Sequence, residues 1–184
     1  YRVVARHEWL NVAHSTLYGP ILSLARTWGA RSLVIDATGI GSGLSSFLLK
    51  ALDPGVVIPF VFNAATKSKL GWDFLAVVES GRFLDHCRPV STPLLAAASP
   101  PAANSPQDRF WQQLEYVTYD AGTNRSLRWS VVDGTRDPST GEYVHDDWVL
   151  SAALCAVLDE QVWGLAQSAV IEMLDPLTAM EAHF

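Results

Sequence analysis

Two cysteines in 184 residues, Cys87 and Cys155, are too few for a disulfide framework or a zinc site. Cys155 lies in an apolar helical run and reads as a small core residue, and the expected compartment is reducing. No apolar run approaches the roughly 20 residues needed to cross a bilayer, so no membrane partner is expected. Positive charge is scarce: 13 Lys and Arg against 19 Asp and Glu leave a formal charge of −6. That excludes a general nucleic-acid-coating protein, which would be basic. It leaves room for an enzyme whose acidic centre holds cations while a local patch grips DNA. No leader is expected either. Tyr1–Arg6 alternate as a strand does, and the chain opens on Tyr1 inside that pattern, so the expectation is a fragment whose N-terminus lies upstream. There are no internal repeats. The glycine-rich GIGSGLSS lacks the lysine after the second glycine of G-x-x-x-x-G-K-[ST], so no ATP hydrolysis is expected from it.

What remains is a folding sequence. It is 49% hydrophobic with seven Trp, enough for one domain over residues 1–184 with a full core. Tyr1–Trp9 read as a strand. Asn11 to Ser15 offer caps for a helix to about Trp28, whose apolar positions Leu17, Tyr18, Ile21, Leu22 and Ala25 keep the 3.6 period. Leu33-Val34-Ile35 read as a strand buried on both faces, delivering Asp36 to a glycine turn, and a helix follows to about Leu52. Val56–Phe62 is a strand carrying Pro59, which marks an edge or a bulge. Thr66 caps a helix ending at Gly81. This β-α-β-α-β-α order signifies a three-layer α/β domain. Residues 88–106, rich in Ala, Ser and Pro, read as a long surface loop. A short helix over Gln107–Leu114 and paired strands at Glu115–Tyr119 and Ser126–Val132 come next. A long helix runs from His145-Asp146-Asp147 to about Trp163, and the tail from Leu165 is a docked helix or a packing segment.

Asp36 closes a strand and Asp146-Asp147 open a helix about 110 residues later; both are element ends, where α/β folds place chemistry. Carboxylates brought together repel unless a cation joins them. Mg²⁺ or Mn²⁺ suits such hard oxygen ligands, and a pair of these ions supports phosphodiester cleavage. The plainer alternatives are that Asp36 satisfies loop N–H groups and that Asp146 and Asp147 cap their helix. His145 reads as a surface residue or one that supports a ligand from behind. Arg125 and Arg128 in the hairpin, Arg136 in the next turn, and then Lys67 and Lys69 are candidate DNA contacts, with ordinary surface charge as the alternative for each. Trp129 reads as core-facing, with stacking on a base as the alternative.

VIDATGIGSG, PFVFNAATKSKLGWDFLAVVESGRF and VHDDWVLSAALCAVLD, in that order over residues 33 to about 159, resemble the C-terminal nuclease domain of phage large terminase subunits. The resemblance implies an RNase H-like fold, a mixed sheet flanked by helices. It implies metal-dependent endonuclease cutting of concatemeric viral double-stranded DNA with Mg²⁺ or Mn²⁺ in a two-metal site. Asp36 matches the family's acidic residue on the central strand. Asp146 and Asp147 match the carboxylates at the start of the last core helix, with Asp147 favoured as the direct ligand. Lys67 matches the lysine of the middle block, a phosphate contact with a solvated first-turn lysine as its alternative. The implied partners are the packaging ATPase domain upstream in the parent chain, the portal and the small terminase subunit, in the cytoplasm of the host cell. In the family a further catalytic aspartate sits on the first strand of the domain. No candidate lies upstream here, and Glu8 is on the wrong strand to replace it. Two other readings therefore stand beside the nuclease: an incomplete terminase fragment that binds DNA or the portal without cutting, and another RNase H-like phosphoryl-transfer enzyme in which DATGIGSG holds phosphate.

Overall fold

In a computed structural model, residues 1–85 and 105–161 are described. The expected loop at 88–106, apart from its last two residues, and the tail from Leu165 lie outside them. The chain is mixed α/β: α1 His14–Thr27, β1 Leu33–Asp36, α2 Gly41–Ala51, β2 Val57–Phe60, α3 Ala64–Glu79, α4 Pro106–Tyr116, β3 Val117–Ala121, β4 Leu127–Val131, α5 Asp147–Ala153 and a 3₁₀ segment Leu154–Glu160. Among the described residues the strands do not join into one mixed sheet. They form two two-stranded ladders, β1 parallel to β2 and β3 antiparallel to β4.

The first ladder carries the glycine turn. Leu33 pairs with Val57 and Asp36 with Phe60, and Ala37 N–H extends the pairing to Phe60 O at 2.7 Å. Pro59 is tolerated because it sits exposed in a strand with one partner among the described residues. Leu33, Val34 and Ile35 are half-buried rather than buried on both faces. Only β2 pairs with β1 among the described residues, and all three side chains line a cavity instead. α2 crosses back over this ladder and packs on α1.

Among the described residues the N-terminal strand shrinks to a single parallel bridge, Arg2 to Leu84. From there, among the described residues, side chains anchor the segment. Arg6 pairs with Asp85 at 2.9 Å under cover and lies 4.8 Å from the Phe110 ring, and Glu8 accepts from Arg109. α1 begins without a side-chain cap, so Asn11 and Ser15 do not serve that purpose.

The core is built on α3, α4, β4 and α5. Asn63, rather than Thr66, caps α3. Its side chain accepts from Ala65 and Thr66 N–H at 2.9 Å, and Thr66, three residues in, accepts from Asn63 N–H at 2.8 Å to close the box. Ser105 caps α4 the same way with Asp108, and Pro106 takes the first helical position. β4 alternates cleanly: Leu127, Trp129 and Val131 are buried and Arg128 is exposed. Trp129 faces the core and donates from Nε1 to Lys67 O at 2.8 Å. Cys155 packs against this core, and burial pushes its thiol up to about 11, as expected of a small core residue.

Gly71 lets α3 approach β4. A Cβ built there stands 2.3 Å from Trp129 Nε1 and 2.7 Å from Leu127 Cδ2. Alanine raises helix propensity by about 1 kcal/mol over glycine. The overlap is with a rigid buried indole, however, and overpacking costs about 1–3 kcal/mol. Gly71→Ala is therefore expected to lower the melting temperature by a few degrees in a calorimetric scan; an increase would mean that α3 and β4 separate freely.

The last helix is shorter than its pattern predicts. α-helical bonding covers Asp147–Ala153, then tightens to 3₁₀ through Glu160. The tightened turns are where Asp159 meets Tyr1 and Arg82, and where Glu160 meets Lys69. No helix of the described residues is long and apolar enough to cross a membrane.

Candidate functional site

Asp36 stands at the carboxyl end of β1, the end of a parallel strand at which open α/β folds bind ligands. Its Oδ1 accepts Thr38 N–H at 2.8 Å, which turns the chain sharply. Gly41 completes the turn: a Cβ there would lie 2.3 Å from Asp36 O, so only glycine lets α2 begin so close to the Asp36 backbone carbonyl. Thr38 Oγ1 accepts Phe62 N–H at 2.8 Å and ties the turn to the end of β2.

Asp36, Thr38, Lys67, Asp147 and Ser151 line one cavity of about 770 Å³, whose floor is apolar and includes Leu24, Leu33, Ile35, Phe62 and Leu150. Asp36 and Asp147 come from elements 111 positions apart (147 − 36) and reach the same space. Among the described residues Asp147 has no hydrogen-bond or ion-pair partner. Asp146 occupies the N-cap position of α5 yet makes no side-chain cap bond. Its Oδ2 instead takes Lys67 Nζ at 3.4 Å, and Trp148 N–H of the same helix end is satisfied by Gln113 Oε1 at 2.8 Å. Plain capping therefore does not account for the aspartate pair. Lys67 lies 5.4 Å from the Trp129 ring as well, so a carboxylate and an aromatic face hold the amine.

The donor chemistry at this cavity is of the hard-oxygen kind that Mg²⁺ and Mn²⁺ take. Among the described residues, however, no three His, Cys, Asp or Glu side chains gather around one point. Asp36 and Asp147 fit such an ion in kind, and Asp146 would join them only by leaving Lys67.

A second cavity, of about 580 Å³, adjoins the first. His7, Trp9, Asp147 and Ser151 line both. His145 lines the second one only, beside Glu8, Arg109, Gln113, Glu142 and Tyr143. Its floor includes Asp137, which is 7% exposed. Asp137 accepts from Ser139 Oγ at 2.5 Å, from Ser139 N–H at 2.6 Å and from Thr140 N–H at 3.1 Å, and it also meets the Gln112 amide. The Ser139 hydroxyl, and after it the backbone N–H groups, hold the Asp137 carboxyl below its ordinary range. A carboxyl lowered in the folded state stabilises above its unfolded pKa of about 3.9, and that stability is lost as pH falls through the folded value. The melting-temperature gap between the parent chain and Asp137→Ala is thus expected to be full at pH 7 and to narrow below pH 4. A gap that widens in acid would reverse the sign.

Of the five expected DNA contacts Lys67 lines this site, and the other four do not. Lys69 is engaged by Asp73 at 2.5 Å and Glu160 at 2.6 Å, and these carboxylates raise its pKa, Asp73 the more strongly. Arg136 donates to Gly141 O at 2.7 Å and stacks 3.7 Å from the Tyr143 ring. Arg128 is exposed on β4 opposite Asp120. Arg125 sits in the hairpin turn with φ 61°, its carbonyl accepting from Trp72 Nε1. None of these four lines either cavity.

Sequence reasoning missed His7, Trp9 and Ser151. Ser151 lies four residues after Asp147 on the same helix and so on the same face. His7 and Trp9 are two apart in an extended segment and so share a side. Both spacings are visible in the sequence, but neither indicates a site until the cavity is seen. No family model, no curated protein and no solved structure matches this chain.

Proposed function

We propose that the chain is the RNase H-like nuclease domain of a phage large terminase subunit, a metal-dependent endonuclease acting on concatemeric double-stranded DNA. The observation that carries the reading is that Asp36 and Asp147 line one cavity, each at the end of its element. The three sequence blocks that resemble this family support it, since each contributes a lining residue: Asp36, Lys67 and Asp147. Mg²⁺ or Mn²⁺, when bound, would activate water and stabilise the leaving oxygen at the scissile phosphate. The chain's own residues have simpler tasks. Asp36 and Asp147 supply negative charge at fixed positions, the first held by Thr38 N–H and the second by the start of α5. Lys67 neutralises Asp146 and thereby limits the repulsion among the carboxylates. In the family setting the partners would be the ATPase domain, the portal and the small terminase subunit, and the compartment the host cytoplasm.

Mn²⁺-stimulated nicking of supercoiled plasmid tests the activity, and thermal melting tests the cation. A ligand that binds only the folded state at a hundred times its Kd stabilises by about 2.7 kcal/mol. For a domain of this size that is a rise of roughly 5–10 °C. The rise is expected with Mn²⁺ and should disappear in Asp36→Asn; an equal rise in both chains would place the ion elsewhere.

A second reading has its own observation. Asp146, one of the expected metal ligands, is engaged by Lys67. That favours a DNA- or portal-binding module without catalysis. It predicts retained DNA binding with no nicking by the unsubstituted chain.

A further inference from the structure

We propose that His7 and Trp9 form a stacking platform for an unpaired nucleobase, placed where the two cavities meet beside Asp147. Their rings are already stacked, with centroids 5.8 Å apart and planes inclined by 18°. Trp9 is 39% exposed, and both side chains line both cavities together with Asp147. A stacked pair of this kind presents a further flat face, which is what a base seeks. The platform is held in place from below. Glu8, the residue between the two rings, is tied to Arg109 of α4, which anchors the extended segment.

The second cavity can read the edge of the base. Gln113 lines it, and its carbonyl is used by Trp148 N–H, which leaves the amide NH₂ as a donor. The charge of the site favours a base over a phosphate as the anchored group. Lys67 and Arg109, the cations that line the two cavities, are both paired with carboxylates. Stacking rather than phosphate attraction must then supply the grip, and the affinity should depend only weakly on salt. The occupant is a nucleotide freed from the duplex, such as one at a frayed or opened position. The proposal rests on the reading of DNA as the substrate, and it places the unpaired nucleotide next to the carboxylate that would face the scissile phosphate.

The test is fluorescence anisotropy with a labelled single-stranded oligonucleotide in EDTA, on the 184-residue chain. Trp9→Ala is expected to weaken binding by about 5- to 150-fold, the loss of one stacked base. Trp9→Phe should restore most of the affinity because it keeps a stacking face. A fully paired, blunt hairpin of the same length should respond to Trp9→Ala by less than twofold. Single-strand affinity unchanged in Trp9→Ala, or no oligonucleotide binding at all, would overturn the platform. Nicking by a Trp9→Ala chain with unchanged single-strand affinity would sink the platform and spare the nuclease. A Trp9-dependent affinity without any nicking would spare the platform and sink the nuclease.

Discussion

Asp36→Asn and Asp147→Asn are each expected to lower Mn²⁺-dependent plasmid nicking by at least about 100-fold, the scale lost when a group that stabilises developing charge is removed. Asparagine keeps the shape of both side chains, so the effect reports charge. Asp36 is held in its turn by Thr38 N–H, a bond that an amide oxygen also accepts, so the turn should survive the substitution. Asp147 is exposed, and among the described residues it has no partner to lose. Asp146→Asn makes the informative comparison. Its carboxylate is committed to Lys67 at 3.4 Å, so the loss of activity should be smaller and should be accompanied by a freed lysine. Full nicking by both Asp36→Asn and Asp147→Asn would remove the mechanism, and equal losses at all three positions would mean that Lys67 releases Asp146 in the working state.

Trp129→Ala should be the most destabilising single change in the core, costing about 3–5 kcal/mol by the usual scale for deleting a large buried aromatic. Trp129 fills the space that Gly71 leaves open on α3, and its Nε1 satisfies Lys67 O. Its removal therefore opens a cavity, frees a carbonyl near the start of α3 and releases the aromatic face beside the Lys67 amine. The expected fall in melting temperature is roughly 6–20 °C for a chain of this length. Metal-induced stabilisation should weaken with it, because Lys67 lines the cavity with Asp36 and Asp147. A loss under 1 kcal/mol in denaturant titration would show that α3 and β4 do not depend on this contact.

Much of the local structure is legible in the residues. The apolar run before Asp36, the turn residues after it, the helix periods of α1, α2 and α3, and the hairpin of β3 and β4 all follow from patterns of a few positions. The strand at Tyr1–Trp9 was not legible in the same way. Alternation there is genuine, but among the described residues it is the pairing of Arg6 with Asp85 and Glu8 with Arg109 that holds the segment beyond Arg2. Thr66 looked like a cap because it precedes the apolar face of α3; Asn63 takes that position since its oxygen reaches two N–H groups at once. The long last helix was predicted from apolar spacing, which does not distinguish α from 3₁₀ bonding over one or two turns.

The sequence by itself determined which residues can carry charge at element ends, since strand and helix termini follow from local pattern, and it named Asp36, Asp146 and Asp147. Tertiary structure decided which of them share a space. Asp36 and Asp147 face one cavity, while Asp146, the immediate neighbour of Asp147, turns to Lys67 instead. Adjacent residues at a helix start point about 100° apart, so a pair of aspartates cannot serve one point equally, and only the packing of α3 against α5 selects between them.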